Sequence, residues 1–180
     1  RSVSGAGDVN GDGYDDFIIG APGDDDYDDK TGQTYLILGK ASGWAMDTDL
    51  SDSAASFIGE DEGDWSGRAV SGAGDVNGDG YMDIVVGGAS GQPTALFVQS
   101  EQGKFTEKNI PAFDNDKAYE DTAALFIDIE NDGDEDLFIG GRVVPGKYGI
   151  SPESYLLVND GKGKFSIDKD NSFNNLGMIT

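Results

Sequence analysis

The stretch RAVSGAGDVNGDGYMDIVVGG, residues 68–88, sets an acidic, glycine-rich loop between two short runs of strand-forming residues. Its core reads D-x-N-x-D-G-x-x-D, with Asp75, Asn77, Asp79 and Asp83 at positions 1, 3, 5 and 9. Side-chain oxygens at that spacing can converge on one hard cation, and Gly80 at position 6 permits the sharp turn this needs. The backbone carbonyl of Tyr81 at position 7 can add another oxygen. An EF-hand loop opens in the same way but needs a bidentate Glu at position 12 and an exiting helix. Position 12 here is Val86, inside the strand-like run IVVG, so the loop joins two β-strands.

The same text recurs along the chain. Residues 1–14 read RSVSGAGDVNGDGY and residues 68–81 read RAVSGAGDVNGDGY, differing only at Ser2 against Ala69. A divergent copy, ALFIDIENDGDEDLFIGG, occupies residues 124–141. The first loop therefore offers Asp8, Asn10, Asp12, Tyr14 and Asp16, and the third offers Asp128, Glu130, Asp132, Asp134 and Asp136. Position 12 is Ile19 in the first copy and Ile139 in the third. A single N-G-D-G could be a plain hairpin turn. Three copies, each with oxygen-bearing side chains at all four positions, favour three calcium sites. The longer Glu130 side chain sets the third apart.

The repeat is about 60 residues long, the scale of a stacked supersecondary unit. Each unit reads as four short strands bounded by Gly, Asp and Asn. The expected strands are Ser2–Gly7, Asp16–Gly20, Thr34–Leu38 and Ala55–Gly59 in the first unit. In the second they are Ala69–Gly74, Asp83–Gly87, Thr94–Gln99 and Lys104–Lys108. In the third they are Thr122–Ile127, Asp136–Gly140, Ser154–Val158 and Lys164–Ile167. No segment carries a helical period. The expectation is an all-β chain of three four-stranded antiparallel sheets, the blades of a β-propeller. The blades divide at approximately 1–60, 61–114 and 115–173, and 174–180 reads as the start of a further strand or as an inter-chain closing strand. Basic residues number 4 up to about Val98 and 8 from Gln99 onward, a change of texture expected either of a junction near Ser90–Thr94 between two differently evolved stretches or of a naturally divergent array.

Composition removes several function classes. Asp and Glu number 35 against 12 Lys and Arg, a net charge of −23, so nucleic acid is not an expected partner. Three divalent cations would reduce that self-repulsion, to about −17. There is no Cys and no His, which excludes thiolate and imidazole metal sites and any Ser-His-Asp or Cys-His catalytic unit. No apolar run reaches the length of a membrane span, so membrane insertion is not expected. The opening Arg1-Ser2-Val3 shows no signal sequence and is expected of a mature or trimmed product. Asp24–Asp29 (DDDYDD) reads as a solvated hairpin loop, and Trp44 and Trp65 read as residues buried between blades.

The stretch FIGEDEGDWSGRAVSGAGDVNGDGYMDIVVGG, residues 57–88, resembles the FG-GAP repeat of integrin alpha-subunit propellers, and Gly20-Ala21-Pro22 repeats its ending in the first unit. The second half, with DIENDGDEDLFIGGRVVPGKYGISPESYLLVNDGKGKF, is similar to the related repeats of cartilage acidic protein-type propellers. The resemblance implies a calcium loop between the first two strands of each blade. It also implies an extracellular, cell-surface or periplasmic setting and a role in adhesion or in binding a protein or glycan ligand. A non-catalytic role is expected because there is no His or Cys and most acids are assigned to the loops. The chain departs from the family at Ser66-Gly67, where the family has Phe-Gly, and at Gly88-Ala89-Ser90 and Gly141-Arg142-Val143, where it has Gly-Ala-Pro.

Three blades do not close a propeller, which takes four to eight. The expected partners are therefore calcium and either a second copy, completing a six-bladed ring, or the remaining blades of a larger parent protein. Two other readings stay open. One is a propeller domain of a secreted carbohydrate- or lipid-active enzyme, relying on paired carboxylates. The other is a propeller fragment or engineered chain that self-assembles into a closed ring.

Overall fold

The structure is a computed structural model. It describes residues 2–26, 29–44, 47, 49–88, 94–101, 103–113, 120–147, 149–168, 173 and 176–177. Most of the Ser90–Thr94 junction, the boundary at 114–115 and most of the 174–180 tail lie outside these residues.

Among the described residues the secondary structure consists mainly of three four-stranded antiparallel sheets, with short 3-10 turns at Leu50–Asp52 and 111–113. The first blade holds β1 (Ser2–Gly7), β2 (Asp16–Ala21), β3 (Gln33–Ile37) and β4 (Ala55–Ile58). The second holds β5 (Ala69–Gly74), β6 (Asp83–Gly87), β7 (Ala95–Glu101) and β8 (Lys104–Lys108). The third holds β9 (Glu120–Ile127), β10 (Asp136–Val143), β11 (Tyr155–Asn159) and β12 (Phe165–Ile167). Within each sheet the strands pair in sequence order, a meander. All twelve expected strands are present, with ends moved by a few residues. The sheets are propeller blades, and among the described residues they do not close into a ring.

Each blade is too thin to hide its own apolar residues, so the core lies between blades. Ala6, Ile18, Leu36 and Phe57 of the first blade pack with Val70, Ile84 and Val86 of the second. Ala73, Val85 and Leu96 on the opposite face of the second blade pack with Leu137, Ile139, Leu157 and Phe165 of the third. The middle sheet is therefore covered on both faces, and its central strand β6 is buried at every position. Continuous burial explains why DIVVG lacks polar alternation. The Arg68 guanidinium reaches Glu120 at 2.8 Å and ties the second blade to the third.

One element of the third blade differs from the repeat. In the first two blades the register shifts between Gly5 and Gly7 and between Gly72 and Gly74, one extra residue on the first strand. In the third blade no shift occurs at this point, and Phe126 and Ile127 pair directly with Leu137 and Asp136. Losing one bulge residue reverses which side chains face which side. Ala124 and Phe126 then pack inward against the second blade. Leu125 and Ile127 turn to the outward face, where they are 55% and 45% exposed.

Candidate metal centre

The acidic loops join the first two strands of each blade, β1 to β2, β5 to β6 and β9 to β10. In the first loop, Asp8 sits at the centre of a set of backbone donors. The Asp12 N–H donates to Asp8 Oδ1 at 3.0 Å and the Gly13 N–H to Asp8 Oδ2 at 2.8 Å. The Asp12 N–H also reaches Asn10 Oδ1 at 2.9 Å, and the Tyr14 N–H donates to Asp12 Oδ1 at 3.0 Å. The second loop repeats this bond for bond, with Asp79 and Gly80 donating to Asp75, Asp79 to Asn77, and Tyr81 to Asp79. In the third, Asp132 and Gly133 donate to Asp128, and Asp134 donates to Asp132. These side-chain-to-backbone bonds wrap the chain around its own carboxylates.

Two positions need left-handed backbone. Position 6 has φ of 89° at Gly13, 92° at Gly80 and 98° at Gly133. Position 4 has 71° at Gly11, 74° at Gly78 and 57° at Asn131. Asn adopts this region more readily than other residues with a side chain, so Asn131 preserves the loop where its glycine is missing. Position 4 was not among the residues singled out by ligand spacing; its signal is the glycine or asparagine after Asn10, Asn77 and Glu130.

Position 9 is more deeply placed than ligand spacing suggests. Asp16, Asp83 and Asp136 are 1%, 0% and 0% exposed. One Asp16 oxygen accepts the Val9 N–H at 2.8 Å and the other accepts the Gly39 N–H at 2.7 Å. Asp83 accepts likewise from Val76 and Gln99, and Asp136 from Ile129 and Asn159. The buried carboxylate thus pins the start of the loop to the end of the blade's third strand. Burial pushes the Asp83 carboxyl up to about 6, against the lowering effect of its two N–H donors, and the charges of Asp79 and Asp75 push the same way. Asp16 is raised for the same reasons, burial first, then Asp12 and Asp8.

The donor set is oxygen only, and each loop gathers mutually repelling carboxylates around one turn, which fits a hard divalent cation of flexible coordination. Among the described residues no three acidic side chains stand close enough to form a preassembled cage. The carboxylates are instead held by backbone donors, with Asn10 Nδ2 also donating to Asp12 Oδ2 and Asn77 Nδ2 to Asp79 Oδ2. Glu130 replaces the Asn in the third loop. Its carboxyl is raised, first by desolvation and then by the charges of Asp136, Asp132, Asp168 and Asp128.

The remaining sequence expectations divide. Asp24 accepts the Asp26 N–H at 3.1 Å and the Tyr35 hydroxyl at 2.8 Å, as a hairpin loop does, while residues 27–28 of DDDYDD lie outside the described residues. Trp65 is half-buried, with Lys30 and Arg68 at 5.6 and 5.8 Å from its ring. Trp44 is not buried between blades: it is 46% exposed, its ring tilted against Phe17 at 6.2 Å with the Lys40 ammonium 4.8 Å from the centroid. An apolar ring covered by a lysine stem loses little by facing water.

Comparison with known proteins agrees with this architecture. A family model described as FG-GAP repeat matches residues 1–37, and one described as FG-GAP-like repeat matches residues 75–139. The chain is 40% identical over 89 residues to integrin alpha pat-2 of Caenorhabditis briggsae, across 48% of this chain. It is 37% identical over 93 residues to integrin alpha pat-2 of Caenorhabditis elegans, across 44% of this chain. The matched regions span 7% of each relative. With two repeat matches that together cover more than half of its length, on sheets built as propeller blades, the chain belongs to the FG-GAP repeat family.

Proposed function

We propose that the three loops bind calcium in a structural role and that the chain is a non-catalytic propeller module of an extracellular adhesion or binding protein. The observation that carries this is the threefold recurrence of one cradle, with the first Asp of each loop holding the N–H groups of positions 5 and 6. Asp8, Asn10, Asp12 and Asp16 would hold the first ion with the Tyr14 carbonyl. Asp75, Asn77, Asp79 and Asp83 would hold the second with that of Tyr81. Asp128, Glu130, Asp132 and Asp136 would hold the third with that of Asp134. A bound divalent ion supplies positive charge where the fold concentrates negative charge. The similarity to integrin alpha chains supports the adhesion setting and the cell surface as location. The ligand is a protein or glycan.

Thermal unfolding tests the calcium reading. If each loop binds at ~10 µM and calcium is ~1 mM, each occupied loop adds about 2.7 kcal/mol. Melting well above the chelator value in millimolar calcium is expected; equal melting in both would remove the structural role. For the ring, the outward Leu125, Ile127 and Ile129 of the third blade favour cover by further blades. Those blades come from the remainder of a longer protein or from a second copy. Light scattering separates the two: 18.9 kDa in solution rules out ring closure by a second copy, and twice that mass supports it.

A further inference from the structure

Two buried amide side chains cross from one blade to the loop of the blade before it. Gln99, at 1% exposure near the end of β7, donates from Nε2 to the Val9 carbonyl at 3.0 Å. Asn159, at 4% exposure at the end of β11, donates from Nδ2 to the Val76 carbonyl at 3.0 Å and, within its own blade, to the Glu135 carbonyl at 3.3 Å. The two residues occupy the same place in their blades, because the backbone N–H of each also binds its own blade's position-9 carboxylate, Asp83 or Asp136. Val9 and Val76 are the position-2 residues of the first and second loops, between the ligand positions 1 and 3. Their N–H groups are already pinned by Asp16 and Asp83. With the carbonyl fixed as well, both peptide groups between the first two candidate ligands are held.

Gln99 Oε1 also accepts the Gly103 N–H at 3.0 Å, so the inter-blade donor accounts for the amide most clearly at Asn159. Asn159 Oδ1 is buried with no hydrogen-bond partner, a cost that an apolar side chain would avoid. Only the present orientation of the amide puts a donor on the Val76 carbonyl. In the first blade the equivalent residue is Gly39, whose N–H binds Asp16. A Cβ there would lie 2.2 Å from the Asp15 carbonyl oxygen, so that blade has no room for the amide. Among the described residues no side-chain donor of this kind reaches Ile129, the position-2 residue of the third loop.

We propose that Gln99 and Asn159 are positioning residues that make the calcium affinity of the first and second loops depend on the blade that follows each. This rests on the reading of the loops as calcium sites. The amide restrains the loop before the ion arrives, so less ordering remains to be done on binding. Outer-shell partners bonded directly to metal ligands change affinity by about 10–100-fold when removed, and an amide that holds the peptide between two ligands is expected at the lower end of that range. By reciprocity, calcium in the first loop strengthens the contact between the first and second blades, and calcium in the second loop strengthens the contact between the second and third.

The test is a calcium titration of the full chain followed by NMR, reading the amide resonances of Gly13, Gly80 and Gly133 as separate reporters of the three loops. Gln99→Met keeps shape and backbone donor but removes the amide; about tenfold weaker binding is expected at the first loop, with the second and third unchanged. Gln99→Asn, the residue that does this work at position 159, is expected to recover most of the loss. Asn159→Leu supplies an independent arm, weakening the second loop with the first unchanged, while the third loop also loses the bond to its Glu135 carbonyl; this arm carries the test if Gln99→Met does not fold. Unchanged affinity at the first loop in Gln99→Met and at the second in Asn159→Leu would overturn the proposal while leaving the calcium sites intact. Equal weakening of all three loops would also overturn it, since that is a general loss of structure. No calcium response at any loop of the unsubstituted chain would overturn the calcium reading and this proposal with it.

Discussion

At the scale of single residues, the loops combine left-handed backbone with buried charge. Gly13 has φ of 89° and open space where a Cβ would go, so Gly13→Ala isolates the backbone term. A loss of about 1–2 kcal/mol in chemical denaturation is expected, with no steric contribution. Asp83 gives a pH dependence. Burial holds its folded carboxyl up to about 6 from an ordinary 3.8, so between these values the folded state keeps a proton that the unfolded chain has lost. Stability without metal is therefore highest below the unfolded value, falls as pH rises through this window and levels off above about 6. Melting in chelator is expected to be higher at pH 4.5 than at pH 6.5, and Asp83→Asn should flatten the difference. Calcium needs the ionised carboxylate, so its stabilising effect should be larger at the higher pH. An Asp83→Asn chain with the same pH slope as the parent would place the titration elsewhere.

At the scale of strands and sheets, the contacts that set blade spacing are made by backbone on backbone. A Cβ at Gly72 on β5 would lie 2.4 Å from the Gly5 carbonyl oxygen on β1. Gly72→Ala should wedge the first two blades apart at a cost of about 1–3 kcal/mol, measured as a lower denaturation midpoint, whereas an unchanged midpoint would mean the blades slide freely. The strands were legible because each is a short run of Val, Ile, Phe or Tyr closed by Gly, Asp or Asn, a signal within a few residues. The candidate ligands were legible for the same reason, since Asp8 to Asp16 is one local turn. The locks were not: Gln99 and Val9 are distant in sequence and meet only because blades stack, as do Asn159 and Val76. The burial of Asp16, Asp83 and Asp136 was hidden too, because their partners Gly39, Gln99 and Asn159 lie beyond the loop. The missing bulge of the third blade is visible in retrospect as Leu125 and Ile127 standing where Gly5-Ala6-Gly7 and Gly72-Ala73-Gly74 stand in the others.

At the scale of the whole chain, a net charge of −23 is concentrated partly in three turns while the cohesion lies in two inter-blade cores. Self-repulsion and burial of carboxylates act against those cores, and cations at the turns act with them. Stability should therefore rise with calcium far more than with the same ionic strength of a monovalent salt. The most direct test is equilibrium dialysis of the metal-free chain against calcium, counting ions bound per chain. Three are expected at ~1 mM calcium, falling to two in each of Asp8→Ala, Asp75→Ala and Asp128→Ala. A folded chain that retains no calcium at that concentration would contradict the account.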